Sequence, residues 1–549
     1  MTRRRPGPRL ALALALALVL GAGTAPATPG AEEPVDLAMV TRIRDEAFNN
    51  SKVMDTLAHL TDVIGPRLTG SPQLREANEW TRGQLESWGL QGARLEKWGP
   101  FGRGWTFERA SVHMVSPAAV PLIALPKAWT PGTDGPRRGA VVKWKLEAEG
   151  DLERAKGKLA GRVVLLDDAR ELKGPDRPLF SRYSDAELRR LAEFGAGEDG
   201  RRPRRPRDRE GALRRARFEK ALREFLAAEN VLATVEASAR EGALVRVAGG
   251  GSRHPDENPG VTALVMAAEH YNRLVRLVDR GTPVELEIEV RARFLDGDVM
   301  AYNTVAEIPG RDEVVMLGAH LDSWHGGTGA TDNGAGSAVV MEAARILRAL
   351  DVQPRRTIRV ALWTGEEQGL LGARAYVREH FGSRPEPADP AERSLPSYLR
   401  RVTGPLTLRP DHAHLSAYFN VDNGTGRIRG VYTQQNAAAV PIFEAWLRPF
   451  ADLGATTVSN RNTGSTDHVP FDAVGLPGFQ FIQDDADYST RTHHTNLDLY
   501  DRVERDDLVQ ASAILASFAY HAAMREERFP RKPLPRESPP DPAPTETEH

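Results

Sequence analysis

Histidine and acidic side chains recur just after short apolar runs in the second half of the sequence. Runs at 313–317, 357–362 and 415–421 are followed by these groups: His320 and Asp322, Glu366 and Glu367, and Asp422. Imidazoles and carboxylates bind divalent metal ions and transfer protons. Because the chain contains no cysteine, any metal ion must be held by His, Asp and Glu. The pattern therefore indicates a metal site or acid–base centre built without thiolates.

The spacing of these groups also predicts where they lie in the fold. The apolar runs have the length and composition of strands buried on both faces, which is typical of parallel sheets covered by helices. In open α/β sheets the functional site lies beyond the carboxyl ends of the strands. Asp332 begins the helix after the first run, in a glycine-rich turn that allows close approach of backbone and metal. A fourth run, 478–482, precedes His493 and His494. We expect all these side chains to meet at one edge of a sheet.

Several segments that carry these residues resemble the co-catalytic dizinc exopeptidases. The matching segments are GAHLDSWHGGTGATDNGAGS, WTGEEQGLLGA, NVDNGTG, STDHVPF, HHTNLD and, near the start, GPRLTGSP. That group includes bacterial leucyl aminopeptidases, glutamate carboxypeptidase II and carboxypeptidase Q. The HLDSW and NVDNGTG segments resemble the carboxypeptidase Q branch most. The resemblance covers about residues 40–526 and is looser in the middle of the chain.

The resemblance implies two Zn2+ ions held by five side chains. His320 and Asp422 would bind the first ion, and Glu367 and His494 would bind the second. Asp332 would bridge the two ions. The family spacing His-Thr-x-x-Asp fits His494 followed by Asp498 and leaves His493 as a neighbouring loop residue. Co2+ or Mn2+ would also suit a ligand set of imidazoles and carboxylates.

Further roles follow from the same resemblance. Asp322 would accept the second N–H of His320 and fix its tautomer. Glu366 would be the general base, taking a proton from a metal-bridging hydroxide or water and passing it to the leaving amine. Three residues would either contact substrate or serve only packing: His468, Trp324 and His325.

The function implied is a secreted exopeptidase that removes N-terminal residues from peptides or hydrolyses dipeptides. Aminopeptidase and carboxypeptidase Q-like dipeptidase activities share one metal centre, so the sequence leaves this choice open. Two other classes remain: a glutaminyl cyclase of the same fold, which uses one zinc ion, and a non-catalytic binding protein. A complete set of ligands argues against both.

We predict an α/β fold with a three-layer zinc-exopeptidase domain, whose mixed, mostly parallel sheet is flanked by helices. An inserted, β-rich, protease-associated-like domain is expected as well. The predicted boundaries are 1–27 for a signal peptide, 36–117 and 297–528 for the catalytic domain, 118–296 for the insertion and 529–549 for a disordered tail. The connection at 382–412 is longer than the family leads us to expect, which suggests a rim or a dimer contact.

Composition limits the partners and the location. The chain has 549 residues, with 73 Lys and Arg against 75 Asp and Glu, which argues against a dedicated nucleic-acid binder. Arginines at the start precede the apolar run 10–20 and Ala25-Pro26-Ala27, the pattern of a cleaved secretory signal. The run is shorter than the ~20 residues that span a bilayer. We expect a secreted or periplasmic bacterial enzyme without a stable membrane anchor, whose partner is a peptide; a homodimer is left open.

Overall fold

A computed structural model describes residues 2, 32–193, 209–389, 392–393, 395, 399–400 and 404–537. Apart from Thr2, the predicted signal peptide at 1–27 lies outside the described residues, as does the final part of the predicted tail, 538–549. Among the residues that are described, no helix has both the length and the apolar character needed to cross a membrane.

The strands fall into two large sheets and one small hairpin. In chain order they are β1 (Gln91–Trp98), β2 (Gly104–Ser116), β3 (Val120–Leu122), β4 (Ala124–Pro126), β5 (Arg137–Lys143), β6 (Val163–Leu165), β7 (Ala233–Ala237), β8 (Thr262–Met266), β9 (Glu285–Leu295), β10 (Ala301–Ile308), β11 (Arg311–His320), β12 (Arg356–Trp363), β13 (Gly382–Ser383), β14 (Thr407–Leu408), β15 (Leu415–Asn420), β16 (Ile428–Tyr432), β17 (Thr457–Ser459) and β18 (Gly478–Gln483).

The α-helices alternate with these strands, mainly in the second half. They are α1 (Leu37–Asn50), α2 (Val53–Ala58), α3 (Pro72–Ser87), α4 (Glu149–Ala155), α5 (Asp185–Ala192), α6 (Arg209–Ala228), α7 (Ala268–Asp279), α8 (Ala335–Ala349), α9 (Leu371–His380), α10 (Val440–Leu447), α11 (Val469–Asp472) and α12 (Arg505–Met524). Helix α3 has clear N-terminal signals in the sequence. Pro72 occupies its first turn, and the Ser71 hydroxyl accepts a hydrogen bond from the Leu74 N–H.

The first sheet has the strand order β1-β10-β12-β11-β15-β18-β16-β17. Its four central strands, β12-β11-β15-β18, are all mutually parallel. They coincide with the four apolar runs that the sequence predicts to be buried strands. The outer pairs β1–β10, β10–β12 and β16–β18 are antiparallel, so the sheet is mixed, as predicted.

Helices cover both faces of this sheet. Val315, Leu317 and Ala319 of β11 belong to one buried core, which they share with residues of α8 and α12. The alternate residue Met316 belongs to a second core, with Tyr376 of α9. This alternation follows the two-residue period of a strand and explains why the run is apolar on both faces.

The second sheet has the order β3-β2-β9-β5-β6-β7-β8-β4. Strand β9 alternates buried and partly exposed residues over most of its length. Strand β2 also belongs to this sheet because it pairs with β9, so the change of sheet falls before Gly104 rather than after residue 117. The glycines and the proline within residues 99–104 are a sequence signal for the break between β1 and β2.

The two sheets are linked near the carboxyl ends of the central strands. Ser181, from the segment before α5, exchanges two backbone hydrogen bonds with Ala486, which follows β18. Within the 382–412 connection, β13 and β14 pair as a small antiparallel sheet. This connection also reaches α6, where Arg217 pairs with Asp389 at 3.2 Å.

Candidate metal centre

The ends of β11 and β15 and the turn before α8 bring together the first group of predicted ligands. His320 is the last residue of β11, and its Nε2 lies 3.2 Å from Asp332 Oδ1 and 3.4 Å from Asp422 Oδ1. All three side chains are buried. Their ligand atoms lie within 4.8 Å of one another, close enough to share one ion.

The second group forms on the opposite side of Asp332. His494 Nε2 lies 3.0 Å from Glu367 Oε2 and 3.1 Å from Asp332 Oδ2. Asp332 therefore presents one carboxylate oxygen to each group. His493 is also near, with its Nε2 3.8 Å from Asp332 Oδ2, but it is the more distant of the two histidines.

The electrostatics of these groups suit a divalent cation. The pKa of Glu367 is raised to about 7, mainly by burial; His494 opposes the shift and the charge of Asp332 adds to it. One oxygen of Glu367, Oε1, is buried with no hydrogen-bond partner among the described residues. Burial lowers the pKa of His494, but Glu367 and Asp332 outweigh this and raise it to about 10. A bound cation would compensate these carboxylates and take the Nε2 lone pairs of the imidazoles, so the donor set fits zinc.

Asp322 connects the two loops that carry the site. His320 Nδ1 lies 2.9 Å from the main-chain carbonyl of Asp322, whereas the Asp322 carboxylate, which we expected to accept this bond, is 3.6 Å away. The carboxylate instead accepts bonds from the Thr69 hydroxyl at 3.0 Å and from the backbone N–H groups of Glu366 and Glu367 at 3.2 and 3.3 Å. Asp322 thus holds the loop after β12 against the loop after β11.

Glu366 is positioned through its backbone while its carboxylate stays unengaged. No hydrogen bond or ion pair to that carboxylate occurs among the described residues. Burial raises the pKa of Glu366 well above its ordinary value; His320 opposes the shift and Asp422 adds to it. A carboxylate held in this way is available to exchange a proton with a reactant.

Arg67 stabilises the turn before Asp332 through hydrogen bonds to main-chain carbonyls. Its side chain is fully buried, and its guanidinium donates to the main-chain carbonyls of Leu60, Gly65, Leu321, Thr328 and Gly329. Burial lowers its pKa to about 10, although the charges of Asp498, Asp322 and Asp332 oppose this shift. Sequence reasoning singled out the segment 65–72 but gave neither Arg67 nor Thr69 a role. The available signal for a role of these two residues was their position in the sequence between Gly65 and Gly70.

Two further features hold the turn that carries Asp332. Asp498 Oδ1 accepts bonds from the backbone N–H and the hydroxyl of the neighbouring Thr331, at 2.6 and 2.8 Å. Gly329 has a φ of +66°, and a Cβ there would lie 2.3 Å from the Ser323 side chain. Only glycine fits this turn without displacing its neighbours.

The predicted substrate residue His468 lies outside the two metal-ligand groups. It is fully buried, and its Nε2 is 2.8 Å from Gln434 Nε2 and 3.1 Å from the Thr463 carbonyl. Burial lowers its pKa to about 4. The preceding residue, Asp467, was missed: both its carboxylate oxygens are buried with no hydrogen-bond partner among the described residues. Burial raises the pKa of Asp467 well above its ordinary value, against the opposing charge of His320.

The other two predicted pocket residues differ in their surroundings. The Trp324 ring centroid lies 6.0 Å from that of His494, so this side chain borders the second ligand group. His325 is buried, and its Nε2 lies 2.8 Å from the Pro126 carbonyl. Its ring packs edge-on against Trp105 at 5.2 Å, and burial lowers its pKa to about 4.

The family model of peptidase family M28 matches residues 303–519, the segment that contains both ligand groups. This part of the chain belongs to peptidase family M28. The resemblance to co-catalytic zinc exopeptidases is thereby confirmed.

Two relatives match this chain over different lengths. Carboxypeptidase Q of Mus musculus is 24% identical over 502 residues, covering 90% of each chain. Aminopeptidase YwaD of Bacillus subtilis is 27% identical over 218 residues, covering 39% of this chain and 42% of that one. Together with the family, these relatives support a metallo-exopeptidase, as the sequence predicts.

Solved structures agree with the fold. A peptidase M28 precursor from Shewanella amazonensis SB2B is 25% identical, with a TM-score of 0.60, covering 91% of this chain and 99% of that one. A zinc aminopeptidase from Bacillus subtilis has the same fold at 17% identity, with a TM-score of 0.53, covering 86% of this chain and 95% of that one. The mixed α/β architecture is thus that of M28 peptidases.

Proposed function

We propose that this M28 peptidase is a dinuclear zinc exopeptidase that cleaves short peptides or dipeptides with a free N-terminus. The observation that carries the proposal is the position of Asp332, with one carboxylate oxygen 3.2 Å from His320 Nε2 and the other 3.1 Å from His494 Nε2. A carboxylate between two sets of ligands suits a shared pair of ions.

Five side chains would hold the two ions: His320 and Asp422, Glu367 and His494, and the bridging Asp332. When bound, the ions supply Lewis acidity to the peptide carbonyl and lower the pKa of a nearby water. Glu366 acts as the general base because its carboxylate has no other partner; it takes a proton from water and gives it to the leaving amine. Asp322 holds the Glu366 backbone during this transfer.

The names of the relatives support an exopeptidase but leave its substrate range open. The names of the relatives include carboxypeptidase Q, aminopeptidase YwaD and leupeptin-inactivating enzyme 1 of Streptomyces exfoliatus. A carboxypeptidase Q-like dipeptidase is the narrower form of the proposal. An aminopeptidase that trims longer peptides one residue at a time is the broader form.

One assay tests the proposal. The purified protein is incubated, with and without a chelator, with dipeptides, longer peptides and N-terminally blocked peptides, and products are identified by mass spectrometry. We expect chelator-sensitive cleavage confined to free N-termini. Absence of cleavage with added zinc, manganese or cobalt would overturn it and favour a cyclase or a binding protein.

We further propose that the protein is exported and that the second sheet forms a protease-associated-like domain. The arginines and the apolar run at the N-terminus support a cleaved secretory signal. N-terminal sequencing of the protein recovered from its native host tests this, with cleavage near Ala27 expected. Sedimentation of the purified protein tests whether it forms a homodimer.

A further inference from the structure

A cavity of about 540 Å³ lies between the second-sheet region and the segment that precedes His493 and His494. One wall comes from the second-sheet region, residues 170–179 and 239–244. The other comes from residues 489–491, which Thr492 separates from His493 and His494. Leu172, Leu179 and Leu244 add apolar surface. The cavity is therefore large enough for several amino-acid residues of a ligand.

The charged lining of this cavity contains four arginines and three acidic residues. Its arginines are Arg170, Arg177, Arg240 and Arg491. Among the described residues, no ion pair involves any of these four arginines. Nε of Arg240 is buried with no hydrogen-bond partner there. Burial lowers the pKa of Arg240, and the charges of Arg246 and Arg170 lower it further, which reflects crowding of like charges.

The three acidic residues of the lining, Asp176, Glu241 and Glu269, form no ion pair with these arginines among the described residues. Glu241 accepts hydrogen bonds from the backbone N–H groups of Lys173 and Gly174, at 3.1 and 3.0 Å. Glu269 accepts a bond of 2.7 Å from the Gly242 N–H. The carboxylates of Glu241 and Glu269 keep their negative charge but are held by backbone N–H groups, so the four guanidinium groups have no carboxylate partner among the described residues. An anion that enters the cavity can supply that partner.

A further arginine, Arg246, lies at the metal centre, and its charge acts on Arg240. The Nη2 of Arg246 lies 3.0 Å from His494 Nδ1, and the N–H of Val247 donates to the His494 carbonyl at 2.9 Å. Asp422 and Asp467, in contrast, act on the His320 side of the site. A peptide zwitterion placed across the centre would meet acidic groups at one end and guanidinium groups at the other.

We propose that this cavity binds a carboxylate on the C-terminal side of the peptide substrate. Guanidinium groups match carboxylates in shape and charge and bind them through paired hydrogen bonds. The carboxylate is either the free C-terminus of a short peptide or an acidic side chain of a longer one. This inference rests on the proposed exopeptidase function and assigns that function a preference for anionic substrates.

The test compares matched substrates in matched variants. Leu-Ala and its C-terminal amide report on the free C-terminus; Leu-Ala-Ala-Glu-amide and Leu-Ala-Ala-Gln-amide report on an acidic side chain. The variants are Arg177→Gln and Arg240→Gln, with Arg276→Gln, an exposed arginine of α7, as the control. Calorimetry with N-acetyl-Leu-Ala-Ala-Glu-amide, N-acetyl-Leu-Ala and their neutral analogues measures binding without any need for cleavage.

We expect the wild type to favour the anionic member of at least one pair, by about 10- to 100-fold in kcat/KM, as for a hydrogen bond to a charged group. Arg177→Gln and Arg240→Gln should lose this preference, whereas Arg276→Gln should keep it. The pair that responds identifies the source of the carboxylate. Equal rates within each pair, with equal calorimetric binding, would overturn the proposal, as would variants that slow both members of a pair alike. If the wild type cleaves nothing, the exopeptidase function fails, and calorimetry alone decides whether the cavity binds the anion.

Discussion

The backbone N–H of Glu366 donates a hydrogen bond of 3.2 Å to the carboxylate of Asp322. The same carboxylate binds Glu367 N–H and the Thr69 hydroxyl, while the main-chain carbonyl of Asp322 faces His320 Nδ1. One residue thus sets the distance between the proposed base and the proposed first ligand. The metal-binding and proton-transfer parts of the site are joined by this contact.

Asp322→Asn should slow catalysis without emptying the site. An amide keeps the volume but offers its N–H groups where the loop needs an acceptor, so the Glu366 backbone loses a partner. We expect kcat to fall by about 10- to 100-fold, as for other outer partners of metal ligands, with zinc content preserved. The control is Asp506→Asn, an exposed position on α12. Unchanged kcat would show that Asp322 does not position the base.

Glu366→Gln should preserve metal binding and abolish most turnover. The amide cannot accept a proton, and loss of a general base costs about 10²- to 10⁴-fold in rate. Zinc content by mass spectrometry and kcat on a dipeptide measure the two effects separately. Glu379→Gln, an exposed residue of α9, is the matched control. Near-normal kcat in Glu366→Gln would remove Glu366 from the mechanism.

Asp332→Asn should release metal from both positions. The substitution removes the only carboxylate that faces both His320 and His494 at 3.1–3.2 Å among the described residues. We expect zinc content to fall towards zero after dialysis at a zinc concentration that saturates the wild type. Retention of two ions per chain would mean that Asp332 does not bridge them.

The adjacent histidines should behave differently. His494 Nε2 is 3.0 Å from Glu367 Oε2, whereas the contact of His493 with Asp332 is 3.8 Å. His494→Ala should therefore lose one zinc ion and most activity, while His493→Ala should keep two. The opposite result would assign the second ion to His493.

Arg67→Met should destabilise the folded protein. The substitution leaves five main-chain carbonyls without their shared donor and removes a buried charge. Breaking a buried polar network of this kind costs about 3–5 kcal/mol. Thermal unfolding followed by circular dichroism should give a clearly lower Tm than in the wild type, and Arg276→Gln should give an unchanged one. An unchanged Tm in Arg67→Met would show that the network does not support the turn.

The central parallel strands were predictable because their chemistry is local. Strands β11, β12, β15 and β18 are apolar on both faces, and each is followed along the chain by a residue able to bind metal or transfer protons. Parallel strands carry such residues to one edge of the sheet, so the sequence order was sufficient to group them.

The supporting contacts could not be predicted in the same way. Arg67 lies more than 250 residues from Leu321 and Thr328, which its guanidinium binds. Asp322 could reach its neighbours through its main chain or its side chain, and only the conformation of the loop decides between them. Asp467 has no local pattern that marks it as buried. These residues depend on tertiary neighbours that no spacing rule encodes.

The most direct test of the account is the number and position of the metal ions in the wild-type protein. Crystals grown with zinc would be measured on both sides of the zinc absorption edge. The account predicts two anomalous peaks per chain, one between His320 and Asp422 and one between Glu367 and His494, with Asp332 contacting both. A single peak at full zinc occupancy, or two peaks that do not share Asp332, would contradict it.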